Sequence, residues 1–598
     1  MLILCLFIIL SPTLARSQNT LTISKVGFGG YYSFSALTPV RVHLPAVSQS
    51  QSVKLELTVR SGYSPNGQGL VREDRFTKQV NQETGRPLEV DLPIFIPQAT
   101  WGELNVTESA ADGRIIDHAN QELKSQFSLT SGQFVVAVYC TDEFKCRDAE
   151  FQLSYGNNEK GNVVRNGNLH VVTFREPEKN WWSYTPARAV VFAAPISGLS
   201  SGERQAIENY LRCGGVLILV EDEIADSDFL TAYRHDPPKQ DAILVGRGHL
   251  YRLQNLASKQ LAQLFSTSPL ARLGLLFDSV YMSSPLLGRT GISFTFPRLR
   301  WLITWLAIYL VVVGPLNFFL LRRMKRLEWG WITVCILAAV FAIGFFLFGS
   351  ARRPRNYTLD NATVYWMDSR SPISVANVGL RVSAPQRGDV SISLGQEDLV
   401  VSPSALRPGN SSDVDIGAMM TDKIRTELGW DVRVGPPIAV TWPMLRWSTQ
   451  DFNFEGFHTF SGTVHWISPR RLKNDSGLTF REAIYLDYPE NKQYLFSYVA
   501  DGQEIDLATS ASTRIYLSNR TAGDPVRNLT WAGSGGNKSG GRFSVAEIPY
   551  STFQIGGYGP PFPVFAGLSD APVPDVQVQV PATHRSQLAL TLVYMDEK

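Results

Sequence analysis

The chain has 598 residues, and its 56 Lys and Arg nearly balance its 54 Asp and Glu, which leaves a formal net charge of +2 at pH 7. This balance gives no extended positive field, and it therefore argues against a nucleic-acid partner. Charged residues form only 18% of the chain, whereas aromatic residues form 11% and accompany 34 Pro and 47 Gly. That composition is low in charge for a cytosolic protein and favours loop-rich β domains, with length for about four domains.

An uninterrupted apolar run, Leu2–Leu10, lies at the start of the sequence. The run is too short to cross a bilayer but has the length of a signal-peptide core, and small residues near Ala15 and Ser17 resemble a cleavage site. No Lys or Arg precedes the run, which departs from the usual signal-peptide pattern. We predict a signal peptide over residues 1–17 and therefore an exported protein.

Residues 18–130 show the period-two alternation of half-buried strands. The clearest segments are Leu21–Val26, Val40–Leu44 and Val53–Val59, and Gly, Pro, Asn and Asp occupy the turns between strands. Several short strands with no helical stretch predict an antiparallel β-sandwich of the immunoglobulin-like kind.

At about residue 131 the pattern changes to continuous apolar strands that alternate with helices. Strands are predicted at Phe134–Val138, Leu169–Phe174, Ala189–Ala193 and Val216–Val220, and helices at Glu143–Tyr155 and Gly202–Arg212. Ser200 and Glu203 have the spacing of a capping box at the start of the second helix. Residues 131–275 are therefore predicted to form an α/β domain.

The segments Ala189–Glu203 and Ala206–Val220, with a Gly-Gly turn before the last strand, resemble the core of the class I glutamine amidotransferase-like fold. In that family, the strand matching Val216–Val220 leads into a nucleophile elbow of Gly-x-Cys-x-Gly type. Here the strand is followed by Glu221-Asp-Glu-Ile-Ala225, which has neither the nucleophile nor the glycines. The resemblance thus implies an amidotransferase-like fold without the family's chemistry, so we predict no catalytic residue.

Acidic residues follow this strand, at the carboxyl end where open α/β sheets bind ligands. They are Glu221, Asp222, Glu223, Asp226 and Asp228. His249 follows the next strand along the chain and is a candidate for the same edge. Two interpretations remain open, a site for a cation or polar ligand formed by Glu221, Asp222, Glu223 and His249, or a solvated acidic turn. We predict no cofactor and no bound metal.

Cys140 and Cys146 are close to each other in the sequence and lie in a region that we predict to be exported. An oxidising compartment allows a disulfide between them, and two separate buried thiols are the alternative.

A linker over residues 276–300 leads to two apolar segments, Trp301–Leu321 and Trp329–Gly349, each free of charged side chains. At a helical rise of 1.5 Å per residue, each segment is long enough to cross the ~30 Å hydrocarbon core of a bilayer. We therefore predict a transmembrane hairpin over residues 301–349. The short turn between the segments contains Arg322, Arg323, Lys325 and Arg326. Basic residues favour the cytoplasmic side, which would put both flanking regions outside.

Residues 350–598 again alternate with period two and predict one or two exported β-rich domains. The hairpin sequence Val313–Trp331 is similar to that of uncharacterised bacterial envelope proteins, which combine an exported β domain, an amidotransferase-like domain and a second exported β region. The resemblance implies a two-pass protein of the bacterial inner membrane, with its N- and C-terminal domains in the periplasm or outside the cell.

The sequence as a whole predicts a multidomain α+β membrane protein of the cell envelope. We expect a binding or scaffold role, with the lipid bilayer and other envelope proteins as partners and a catalytically silent amidotransferase-like domain. The alternative is an exported hydrolase or metal-dependent enzyme that uses the sheet edge near Glu221–Asp228.

Overall fold

The computed structural model describes residues 20–32, 36–62, 71–96, 101–123, 133–157, 163–165, 169–194, 196–220, 243–253, 299–351, 356–395, 400–402, 429–435, 437–446, 448–487, 490, 492–514, 563–569, 576–579 and 582–595. The predicted signal peptide, the acidic residues 221–223 and residues 276–298 of the linker lie outside these ranges. Within them the protein is mostly β-sheet, with few helices.

The described residues of the N-terminal region form seven strands, and neighbouring residues along them alternate between the core and the surface. They are β1 Thr22–Val26, β2 Ala36–Leu44, β3 Gln51–Gly62, β4 Val71–Gln82, β5 Leu88–Ile96, β6 Trp101–Ala110 and β7 Ile115–Leu123. β1, β2 and β5 form one antiparallel sheet, while β4, β3, β6 and β7 form part of a second. Apolar residues of both sheets, such as Val42 and Leu57, share one buried core, which the alternation predicts.

The α/β region contains a six-stranded sheet in the order β11-β8-β12-β13-β15-β14, in which the first five strands are parallel and β14 is antiparallel. Its elements are β8 Phe134–Tyr139, α1 Glu143–Ser154, β9 Tyr155–Asn157, β10 Val163–Arg165, β11 Leu169–Phe174, β12 Ala187–Phe192, α2 Ser201–Arg212, β13 Val216–Val220, β14 Ile243–Val245 and β15 Gly248–Leu253. The capping box that begins α2 is confirmed, because the Ser200 N–H donates to Glu203 Oε2 at 2.8 Å. Parallel strands and helices therefore alternate between Phe134 and Leu253.

The hairpin consists of α3 Leu299–Val311, a π-helical turn Val312–Leu316, α4 Asn317–Arg323 and α5 Gly330–Ala351. Pro315 lacks a backbone N–H, and this explains why the regular hydrogen-bond ladder is interrupted there. Two 21-residue segments, Ile303–Arg323 and Leu327–Leu347, are long and apolar enough to cross a membrane. Their side chains are largely exposed in the protein, so lipid is a suitable environment for them.

Within the described residues, sixteen strands follow the hairpin and form the C-terminal region. They are β16 Tyr357–Asp368, β17 Ile373–Ser383, β18 Gly388–Leu394, β19 Val400–Ser402, β20 Asp431–Arg433, β21 Ile438–Met444, β22 Thr449–Thr459, β23 Val464–Ser468, β24 Arg471–Asn474, β25 Phe480–Asp487, β26 Lys492–Phe496, β27 Glu504–Asp506, β28 Ser512–Arg514, β29 Val564–Ser569, β30 Val576–Val578 and β31 Ala582–Tyr594. Nine of them form the central sheet, in the order β19-β22-β17-β16-β31-β29-β25-β26-β28.

The N-terminal and C-terminal regions share a sheet. β20 pairs with β4 in parallel, with Val432 opposite Phe76, and the resulting eight-stranded order is β30-β18-β21-β20-β4-β3-β6-β7. Buried residues of both regions also form one core. The sequence pattern predicts separate β regions at 18–130 and 350–598, because alternation identifies strands but carries no information about which distant strand will pair with which.

The central sheet is covered on both faces. Trp366 and Leu592 project from one face into a core shared with Tyr210 and Leu217 of the α/β region. The residues that alternate with these along the strands project from the opposite face and belong to two other cores. One core is shared with the N-terminal strands, and the other is shared with the small sheet formed by β23, β24 and β27. The described parts of the N-terminal, α/β and C-terminal regions therefore form one layered body with the central sheet in its middle.

Candidate functional site

His249 lies at the opposite end of the parallel sheet from the place where the acidic residues begin. In the pairing of β13 with β15, His249 is opposite Val216 and Leu253 is opposite Val220. Glu221, Asp222 and Glu223 follow Val220 in the chain but lie outside the described residues. Since four residues of strand span ~13 Å, His249 does not share an edge with the end of β13, and this corrects the expectation that it faces the same edge as the acids.

The environment of His249 is that of a packed, neutral imidazole. Burial lowers its pKa to about 4. Its ring stacks on Tyr251 with centroids 6.4 Å apart, and its Nδ1 atom has no hydrogen-bond partner in the described part of the chain. With so low a pKa the imidazole is a weak base, and no group within the described residues bonds to its Nδ1 atom to orient the ring, so the side chain lacks the arrangement of a general base.

Cys140 and Cys146 form a disulfide, with Cα atoms 5.5 Å apart. The bond joins the end of β8 to the first turn of α1, where the Lys145 N–H also donates to Asp142 Oδ1 at 2.9 Å. Both cysteines are buried. The disulfide and the Asp142 contact therefore fix how α1 leaves the sheet.

The carboxyl ends of β8 and β12 are occupied by aromatic side chains. From β8 the chain continues to β11, towards one edge of the sheet, and from β12 it continues to β13, towards the other edge. The boundary between β8 and β12 is therefore the switch point, where open α/β sheets bind ligands. Tyr139 lies at this position, with its ring 5.6 Å from Phe174 and 5.1 Å from Phe192. Burial, and then the negative charge of Glu203, raise the pKa of Tyr139. The arrangement is apolar packing around a phenol that stays protonated.

Buried charges meet where the α/β region packs on the central sheet. We call this cluster the arginine junction, and its members are Arg212, Arg247, Asp368 and Glu455. Arg247 Nη1 lies 2.9 Å from Glu455 Oε1, and the Arg247 guanidinium lies 5.2 Å from the centroid of the Trp366 ring. The Glu455 side chain is only 2% exposed, so this pair is largely shielded from water.

The second half of the arginine junction centres on Asp368. Its Oδ2 atom lies 3.5 Å from Arg212 Nη1 and accepts a hydrogen bond from the Gly246 N–H at 3.0 Å. Gly246 has φ +60°, and a Cβ there would lie 3.0 Å from the carbonyl oxygen of Arg212. A glycine is therefore needed for the β14–β15 turn to approach the end of α2 closely enough for this contact.

Cys213 lies beside this cluster as a buried free thiol. Burial raises its pKa well above the usual value, the charge of Glu455 raises it further, and Arg247 opposes the shift. A thiol that stays protonated is a poor nucleophile, so Cys213 acts as a packing residue.

A second set of charges joins the N-terminal strands to the α/β region. Glu178, whose side chain is 7% exposed, pairs with Lys25 Nζ at 2.6 Å and with Arg41. Arg41 also makes a two-pronged contact with Asp91, at 2.6 and 3.1 Å. Beside these contacts, the Phe28 ring inserts against Phe174 at 5.4 Å. Salt bridges and apolar packing therefore attach the α/β region to both neighbouring β layers.

The basic turn of the hairpin is exposed. Its residues Arg322, Arg323, Lys325 and Arg326 lie at the end of α4 and before α5. Lys325 has φ 53°, which allows the tight reversal, and the Arg326 guanidinium lies 5.9 Å from the Trp329 ring centroid. Four cations thus concentrate at one end of the hairpin.

No group of three or more His, Cys, Asp or Glu within the described ranges is arranged to hold a metal ion. The acidic residues proposed from sequence are not among those ranges.

Sequence reasoning missed the arginine junction. Glu455 alternates with apolar residues along β22, since Asp451 and Asn453 precede it and Phe452 and Phe454 lie between them. Such alternation predicts that the polar positions face water. Asn453 and Glu455 are nevertheless buried, because both faces of the central sheet are covered, and no local sequence pattern indicates this. Arg247 is 208 positions from Glu455, so their pairing also leaves no short-range signal.

No family model and no curated protein sequence matches this chain. Among solved structures, Spo0M, a sporulation control protein from Bacillus subtilis, is similar at 11% identity and a TM-score of 0.14, over 23% of this chain and 58% of its own length. The alkylpurine DNA glycosylase AlkC of Pseudomonas fluorescens is similar at 13% identity and a TM-score of 0.13, over 17% of this chain and 30% of its own. A cycloisomaltooligosaccharide glucanotransferase of Paenibacillus sp. has 8% identity and a TM-score of 0.16, over 75% of this chain and 73% of its own. Likenesses this low carry no argument about fold or function.

Proposed function

We propose that this chain is a membrane-anchored scaffold of the bacterial cell envelope, whose exported domains bind other envelope proteins. The observation that carries the proposal is the pairing of β4 with β20, which joins the regions on either side of the hairpin into one sheet. Strands that share a sheet lie in the same compartment. If the hairpin crosses the membrane, its turn must lie on the other side.

The orientation in this proposal follows from charge. Four cations lie in the short turn between the two apolar helices, and basic loops are retained in the cytoplasm. The predicted signal peptide supports the same orientation. The layered body would then lie outside the cytoplasmic membrane, held to it by α3, α4 and α5.

The α/β region serves as a structural member of this body. Its amidotransferase-like character rests on the sequence of the α2–β13 unit. The arginine junction and the Glu178 contacts attach it to two β layers, and the aromatic rings at its switch point leave an apolar rather than an ionic surface. These features support a silent domain that shapes a binding platform.

The test is chemical crosslinking of the tagged full-length chain in the membranes of its host, followed by detergent extraction and identification of the proteins attached to it. Envelope proteins in stoichiometric amount are expected. The matched control replaces the acidic residues with amides in the triple variant Glu221→Gln, Asp222→Asn and Glu223→Gln. A scaffold retains its partners and its cellular role in this variant.

Two outcomes would overturn the proposal. A chain that emerges from its membranes without any stoichiometric partner does not act as a scaffold. A triple variant that folds and keeps its partners but loses its cellular role would identify the sheet edge as an enzyme site instead.

A further inference from the structure

The basic turn of the hairpin carries positive charge that the protein itself does not neutralise. Its four cations are all exposed, and Glu328 is the one acidic residue among positions 322–328. Within the described part of the chain, none of the four pairs with a carboxylate. Their charge is therefore available to an anion from outside the chain.

The length of the turn fixes its depth relative to a membrane. The first apolar segment ends at Arg323 and the second begins at Leu327, so only residues 324–326 lie between them. Three residues span at most about 11 Å when fully extended, and the chain must turn back within that distance. The polar headgroup layer of a bilayer is roughly 5–8 Å thick on each side. If the apolar segments cross the bilayer, the turn therefore lies at the level of the lipid headgroups.

Two exposed tryptophans lie at the same level. Trp329 is 52% exposed and Trp331 is 72% exposed, both at the start of the second apolar segment. Tryptophan is enriched at membrane surfaces, because its ring is apolar and its N–H is polar. The Arg326 guanidinium lies 5.9 Å from the centroid of the Trp329 ring. At least one cation of the turn is thus held beside a residue suited to the headgroup layer.

The anions found at this level of a membrane are the phosphate groups of phospholipids. A guanidinium can donate two parallel N–H groups to phosphate oxygens, and an ammonium group adds a compact positive charge. The turn presents three guanidinium groups and one ammonium group within five residues. Such a cluster is attracted to lipids with a net negative charge. We propose that the basic turn binds anionic phospholipids and recognises the phosphate of their headgroups.

A protein is a poorer occupant of this surface. The turn offers about seven residues, from position 322 to position 328, whereas a standard protein interface uses roughly 20–30 residues from each partner. Lipid already surrounds the exposed apolar side chains of the hairpin in the proposed function, and the turn continues that surface. The inference therefore relies on the membrane attachment, but it does not depend on the scaffold role or on any envelope partner.

The experiment reconstitutes the tagged full-length chain in vesicles of equal parts phosphatidylglycerol and phosphatidylcholine, extracts it in mild detergent and quantifies the phospholipid that stays bound. One cation near an anionic surface strengthens the attraction about fivefold, so the wild-type chain is expected to retain at least about fivefold more phosphatidylglycerol. Salt at about 1 M should remove this preference. A turn variant without the four cations is expected to retain the two lipids equally; its substitutions are Arg322→Gln, Arg323→Gln, Lys325→Gln and Arg326→Gln.

Two control variants separate the charge of the turn from other effects. A lysine variant keeps every charge of the turn and is expected to keep the preference; its substitutions are Arg322→Lys, Arg323→Lys and Arg326→Lys. A body variant removes four exposed cations of the layered body and is also expected to keep it; its substitutions are Lys54→Gln, Arg60→Gln, Arg86→Gln and Arg147→Gln. Thermal unfolding of each variant shows that the layered body is intact.

Equal retention of the two lipids by the wild-type chain would overturn the proposal. It is also overturned by a turn variant that keeps the preference, or by a lysine variant that loses it as completely as the turn variant, because either result separates the preference from the charge of the turn. Displacement of the lipid by millimolar inorganic phosphate would indicate a site for free anions instead. These outcomes leave the membrane attachment intact, whereas release of the wild-type chain from membranes by alkaline carbonate would remove the basis of both proposals.

Discussion

At the residue scale, Glu455 shows how the protein places a charge in its interior. Its carboxylate is almost completely buried and faces the Arg247 guanidinium, which in turn lies over the Trp366 ring. Removing two charges from water is costly, and close contact between them offsets part of that cost. Losing only one partner leaves the other buried and uncompensated, which is worse than losing both.

Glu455→Gln is therefore expected to lower the free energy of unfolding by about 3 kcal/mol, because it leaves Arg247 without its anion. The measurement is chemical denaturation of the detergent-solubilised protein, followed by the fluorescence of its tryptophans. Glu504→Gln, on the exposed strand β27, is the control and is expected to change stability by less than about 0.5 kcal/mol. Equal effects of the two substitutions would contradict the assignment of Glu455 to a buried ion pair.

At the element scale, local patterns in the sequence predicted several elements closely. The predicted helix at Gly202–Arg212 is observed as Ser201–Arg212, with its capping box, and the strand at Val216–Val220 has the predicted bounds. These features depend on neighbours a few residues apart. The order of strands in the sheets was not predictable in this way. β31, the last strand in the chain, lies in the middle of the central sheet, paired with β16 and β29.

Deleting residues 582–598 removes β31 and is expected to abolish folding of the layered body. The deletion exposes the edges of β16 and β29 and leaves the buried residues Leu590 and Leu592 out of the core shared with the α/β region. The readout is the amount of full-length chain and its resistance to protease in isolated membranes. Deleting only residues 596–598, beyond the last described position, should leave both unchanged. A protease-resistant chain without β31 would show that the central sheet does not need this strand.

At the scale of the whole molecule, the shared sheet restricts how the hairpin is oriented. β4 and β20 come from opposite sides of the hairpin in sequence, yet they lie side by side in space. The sequence predicted the same topology for a different reason, namely that a short turn forces two helices to cross antiparallel. The two arguments are independent, because one uses helix length and the other uses strand pairing.

In the proposed orientation the turn faces the cytoplasm, so a cysteine introduced at Lys325 is expected to react with a membrane-impermeant maleimide only after the membrane is broken. A cysteine introduced at Glu504 should react in intact cells stripped of any outer barrier. Both variants carry Cys335→Ser to remove the thiol that α5 exposes to the lipid. Labelling of Lys325→Cys in intact cells, with protection of Glu504→Cys, would reverse the topology.

Because β4 pairs with β20, the sheet that they share can be completed only late in synthesis. Roughly 350 residues separate the two strands, so at ~10 residues per second the ribosome supplies the partner about half a minute after β4 has been synthesised. During that interval the outer edge of β4 has no strand beside it, and open edges recruit other chains. The part of the chain that precedes the hairpin must therefore remain soluble until β20 has been made. A chaperone that binds exposed strand edges would have its main opportunity to act in this interval.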